Sequence, residues 1–110
     1  MALHDSSAAG KWLTLSLAEQ LGNIGSDFDR ALKWKEKNQT ALYSSATTRM
    51  LELLDLTLSD KRWHDHRLKE LVRVREEVCR ELFSPVFNTA SANGLKKYFY
   101  VMAVNARRHI

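Results

Sequence analysis

The run Arg62-Trp63-His64-Asp65-His66-Arg67 gathers two imidazoles, a carboxylate, an indole and two guanidinium groups within six consecutive residues. One chemistry that fits it is metal binding. Alternate side chains of an extended backbone share a side, so His64 and His66 can chelate a metal if a third ligand arrives from elsewhere. His4 and His109 are the other histidines of the chain. On a helix, residues two apart face different ways and the pair fails. A second chemistry is RNA cleavage, which needs a histidine acid or base beside a phosphate-binding arginine. The third reading is a polar connection between helices, with Asp65 as the N-cap of the next helix. The ligand set is incomplete, so the capped connection is the expectation adopted here.

Three further features carry candidate chemistry. Arg75 falls in phase with Leu68, Leu71, Cys79 and Leu82 on what reads as one apolar helix stripe. A charge there must be paired or must reach the surface. Asp27 and Glu52 are its candidate partners, and an anion-binding role is the alternative. In Leu95-Lys96-Lys97-Tyr98-Phe99-Tyr100-Val101, basic residues interleave with aromatics, a pattern that suits nucleic acid. Tyr98 and Phe99, however, share the apolar face with Leu95, Met102, Ala103 and Ala106. Tyr100, Val101 and Val104 lie on the other side. They make this helix apolar nearly all round, so it is either covered on both sides or an interface. Arg62, Arg67, Arg75, Arg107 and Arg108 are the residues on which an RNA or DNA ligand would depend.

The elements that position these residues read as helices. Ser16-Leu17-Ala18-Glu19 is a capping-box pattern. Leu17, Leu21, Ile24, Phe28, Ala31 and Leu32 follow it at spacings of three and four. The stripe lapses from Lys33 to Thr40, where Lys35 and Gln39 hold core-phase positions, and a turn is expected near Lys37-Asn38-Gln39. A second helix carries Leu42, Ala46, Met50, Leu53, Leu54 and Leu58. A third runs from about Asp65 to Phe83 and ends before Pro85. A fourth runs from Ala92 to about Arg108. Residues 1–13 read as a flexible arm and 14–110 as one domain, an all-α four-helix up-down bundle.

Composition bounds the rest. The chain has 110 residues, 45% of them hydrophobic and 27% charged, which is one domain able to bury a core. Its formal charge is +4, which permits a nucleic acid or an acidic protein without requiring either. Cys79 is the one cysteine, so no intrachain disulfide forms and a reducing compartment fits. No apolar run approaches a membrane span and no signal core precedes the domain, so a cytoplasmic protein is expected. There is no Gly-rich phosphate loop, Cys-x-x-Cys or His-Glu-x-x-His, and no cofactor is expected.

The segments RALKWKEKN, LELLDLTL, RLKELVRVREE and LKKYFYVMAVNARR together resemble a family of small bacterial and archaeal helical-bundle proteins of uncharacterised function. The resemblance covers about residues 16–108 and implies a compact bundle with no particular activity. In size and architecture the chain is also similar to HEPN domains. Their ribonuclease members space an Arg and a following His more widely than this chain does. Three residues separate Arg62 from His66, and one separates Arg107 from His109, so no active site carries over. The reading that results is a non-enzymatic bundle that binds itself or a protein partner through Tyr100, Val101 and Val104. The alternative is a HEPN-like nucleic-acid-binding or RNA-processing protein.

Overall fold

A computed structural model describes residues 6–85 and 89–108, with side chains from residue 9 onward. The fold is all-α, and the described residues contain no strand. Its helices are α1 (Ser6–Trp12), α2 (Leu17–Glu36), α3 (Thr40–Ser59), α4 (Leu68–Phe83) and α5 (Thr89–Arg108), with a 3₁₀ turn at Lys61–Trp63. Among the described residues there are thus five α-helices where four are expected, α1 being the additional one.

Local chemistry sets the first boundaries. Ser16 caps α2 reciprocally. The Glu19 amide donates to Ser16 Oγ at 3.1 Å, and the Ser16 amide donates to Glu19 Oε1 at 2.9 Å. Two early amides are thus satisfied where no helical carbonyl can reach them. The turn expected near residues 37–39 separates α2 from α3. It closes on Asn38 at φ 56°, a left-handed conformation that asparagine tolerates better than most side chains. Residues 16–58 therefore form two helices.

Helix α2 is the centre of the fold. It packs along α3 on one side and along α5 on the other, while α4 meets its neighbours more sparsely. Leu21, Ile24, Phe28, Ala31 and Leu32 are almost fully buried on α2, as are Met50 and Leu54 on α3, and Leu71, Val78 and Leu82 on α4. Phe99 of α5 joins this core, its ring centroid 5.7 Å from that of Phe28. The α2–α5 approach is backbone-close. A Cβ at Gly22 would lie 3.1 Å from Ala103 Cα, and one at Gly25 would overlap the Phe99 side chain, 2.8 Å from its Cγ. These glycines lower helix propensity and are explained by that contact.

Three expectations need correcting. The arm was expected to extend free to residue 13. Residues 1–5 lie outside the described residues, but Ser6–Trp12 is helical and Trp12 is only 8% exposed. Its indole donates to Thr57 Oγ1 at 3.1 Å, a contact 45 residues away in sequence. The third long helix begins at Leu68, not Asp65, and Asp65 does not cap it. The Asp65 carboxylate instead accepts from the His66 amide at 2.6 Å, and the side-chain cap in this region is Asp60, which accepts from the Arg62 amide. The last helix begins at Thr89, three residues before Ala92.

Lys35, which looked misplaced in a core-phase position, has a clear role. Its ammonium donates to the carbonyls of Glu81, Leu82 and Ser84 at 2.9, 2.9 and 2.8 Å. The Tyr43 hydroxyl adds a bond to the Leu82 carbonyl at 2.7 Å. The C-terminus of α4 is thereby satisfied from α2 and α3, and the positive charge sits at the negative end of the helix dipole.

Candidate interaction surface

The junction that holds RWHDHR is a self-satisfied polar network. Asp60, 6% exposed, accepts from Arg62 Nε at 3.0 Å and Nη2 at 2.6 Å and from Gln20 Nε2 at 3.3 Å. Arg62 Nη2 also donates to the Leu15 carbonyl at 2.7 Å. Gln20, fully buried, donates to the Trp12 carbonyl and accepts from the Trp63 indole at 3.0 Å. The hydrogen bonds from Arg62 hold the Asp60 carboxyl below the usual carboxylate range, against the opposing effect of burial. Asp60, Arg62, Gln20 and Trp63 thus answer one another within the chain.

The two histidines do not converge. His64 Nε2 lies 2.7 Å from the Leu58 carbonyl, so in the donating tautomer that nitrogen is engaged. His66, 80% exposed on its side chain, pairs through Nδ1 with Asp65 at 3.0 Å. Among the described residues, no three His, Cys, Asp or Glu side chains cluster as a metal would require. His4 and His109 lie outside the described residues.

The arginines offered to an anionic ligand divide sharply. Arg62 is held by Asp60. Arg67 Nε lies 3.2 Å from Glu70 Oε1, an ion pair whose N–H is not aligned well enough for a hydrogen bond. Glu70 is shared, because the Tyr98 hydroxyl donates to its Oε2 at 2.6 Å. Burial, and then this bond, push the Tyr98 phenol well above its usual range. Tyr98 therefore stays protonated, as a hydrogen-bond donor to Glu70 and a poor acid. Arg75 is not buried; its Nε meets Asp55 Oδ1 at 2.8 Å on α3, a carboxylate that is not among its expected partners. Asp27 serves Arg30 and Arg49 instead, and Cys79, expected in the core, is only partly buried. Of the five arginines, Arg107 and Arg108 alone stand exposed without a partner among the described residues.

A groove of about 710 Å³ runs between α4 and α5. Lys69, Arg73 and Arg80 line it together with Glu70, Glu77 and Glu81, above an apolar wall of Val74 and Leu95. Three cations face three carboxylates, so the groove has no net charge to draw a phosphate backbone.

The outer face of α5 is different. Leu95 and Phe99 are buried, with Ala103 meeting Gly22 on the same side. On the opposite side Tyr100 is 66% exposed and Val101 46% exposed, and Val104 is partly buried. The helix apolar all round is thus open on one side in the single chain, not covered on both. The chain's excess charge lies here as well. Of 17 Lys and Arg and 13 Asp and Glu, α5 carries four of the former, Lys96, Lys97, Arg107 and Arg108, and none of the latter. The remaining chain holds thirteen of each. That asymmetry was readable in the sequence, since no acidic residue follows Glu81; a search for motifs passes over a missing residue type. No family model matches the chain, and neither does any curated protein or solved structure.

Proposed function

We propose that the protein is a non-enzymatic helical binding module that engages a protein through the outer face of α5. On this reading the four long helices form an up-down bundle in which α5 presents one face to a partner. The observation that carries it is the side-by-side exposure of Tyr100 and Val101 on a helix whose other face is anchored to α2. An apolar centre ringed by charge is the usual anatomy of a contact patch. The test is Val101→Glu in the full chain, followed by circular dichroism and by recovery of bound protein from its host. Helicity should be kept and the bound protein lost; equal recovery would reject this face as the contact.

The second reading, a HEPN-like nucleic-acid-binding or RNA-processing protein, draws on Arg107 and Arg108 with the nearby Tyr100. It is weakened because Arg62, Arg67 and Arg75 are each paired to a carboxylate of the chain. RNA binding that falls steeply with salt and vanishes in Arg107→Ala/Arg108→Ala would favour it.

A further inference from the structure

We infer that the occupant of the α5 face is an acidic amphipathic segment of another protein, with carboxylates at both ends and apolar residues between them, and not a second copy of this chain. The inference rests on the reading of α5 as the contact face and adds the chemistry of its partner.

The order of residues along the face carries the argument. Lys97, Val101, Val104 and Arg108 recur at spacings of four, three and four, so they form one line along the helix. Tyr100 and Arg107 lie beside that line. The pattern is cationic, then apolar, then cationic, and it extends about 16 Å from Lys97 to Arg108 at the α-helical rise. Lys96 sits near Asp29 of α2, close enough that its charge acts on that carboxyl. Lys97, Arg107 and Arg108 have no acidic partner among the described residues, and all three are exposed.

A second copy is a poor occupant in either orientation. Packed parallel, each α5 sets Lys97 against Lys97 and Arg108 against Arg108. Packed antiparallel, it sets Lys97 against Arg108 at both ends. The pattern is symmetric in charge, so reversing the helix relieves nothing, and like charges brought together across an interface oppose association. A complementary segment needs the inverse pattern: carboxylates at each end, about three helical turns apart, with apolar residues facing Tyr100, Val101 and Val104. Patch size points the same way. Three apolar side chains fall far short of the roughly 800 Å² per partner of a standard stable interface. Charge must contribute to the affinity, and the association must be sensitive to salt. A nucleic acid fits the cations but not the valines between them.

The experiment uses the full chain and synthetic probes. One peptide of about three to four turns carries Glu pairs at both ends and Leu and Ile between. A matched peptide carries Lys in place of Glu, and a single-stranded RNA oligonucleotide serves as the third probe. The acidic peptide should bind. Its affinity should fall at least about tenfold when salt is raised from ~50 to ~500 mM, and about tenfold again in Val101→Ser. The double variant Lys97→Glu/Arg108→Glu should exchange its preference for the lysine peptide, an outcome that a variant failing to fold cannot imitate. Equal binding of both peptides would overturn the charge inference. So would a concentration-dependent dimer of the pure protein that Val101→Glu dissociates, although α5 would then stand as the contact face. RNA binding indifferent to Val101 would overturn both this inference and the reading beneath it.

Discussion

The junction around Arg62–Arg67 and the outer face of α5 exchange the roles their sequences advertise. The junction holds histidines, arginines and an aspartate in a dense run, yet its groups are spent on one another: Asp60 on Arg62 and Gln20, Gln20 on Trp12 and Trp63, His66 on Asp65. The α5 face holds no chemical motif, and its Lys97, Arg107 and Arg108 answer nothing in the described chain. A run of reactive residue types is not by itself a site, since a fold can spend those groups on its own structure.

That contrast predicts that damage at the junction lowers stability and spares binding, while damage on α5 does the reverse. The largest effect should come from Trp12→Ala. It empties a buried indole site and strands Thr57, at a cost of about 3–5 kcal/mol in urea unfolding. A loss below about 1 kcal/mol would mean that α1 contributes little to the fold. Asp60→Asn should cost roughly 2 kcal/mol, because a neutral amide offers Arg62 and Gln20 one acceptor oxygen in place of the two of a charged carboxylate, although it can still cap the 3₁₀ turn. It also carries a pH signature. The folded carboxyl titrates below its ordinary 3.8, so its contribution is complete above that value and is lost as pH falls through the depressed one. The variant's stability should therefore decline less below pH 3.8 than that of the parent.

Asp27 sharpens the comparison from the other side. Burial raises its carboxyl above the ordinary value despite Arg49 and Arg30 beside it. Its ionisation thus opposes folding, and stability from this group grows as pH falls through the raised value. Asp27→Asn should change stability at neutral pH by less than about 1 kcal/mol, with any change favourable. A loss above about 2 kcal/mol would show that the pairs with Arg30 and Arg49 outweigh burial. The smallest effect on stability belongs to Val101→Glu, within about 0.5 kcal/mol for so exposed a position. If that variant unfolds the protein, Val101 is structural and the division between the two regions collapses.

Legibility in the sequence followed the range of the interactions. Ser16 with Glu19, and the turn at Asn38, were visible because the groups that make them lie within a few residues of each other. The apolar stripes were visible because 3.6-residue periodicity is local as well. What could not be seen depended on which distant groups meet. Trp12 looks like part of a polar arm until Thr57 is placed beside it. Arg75 had several reachable carboxylates, and it is the packing of α3 on α4 that brings Asp55 to it, while Asp27 meets Arg30 and Arg49. Asp65 is a good cap by type, yet α4 begins at Leu68 without a side-chain cap. Asp60 caps the 3₁₀ turn instead, held there by Arg62 and by Gln20, forty residues earlier in the chain.

The grip of Lys35 on the end of α4 has a consequence for chemical labelling. Its ammonium makes three hydrogen bonds to carbonyls, and those carbonyls lie 46 to 49 residues further along the chain. To be acylated, that nitrogen must first give up these bonds. Exposed amines such as Lys97 and Lys69 need no such event. In one sample, the rate at Lys35 relative to Lys97 should therefore report how often this contact is broken, without an added probe.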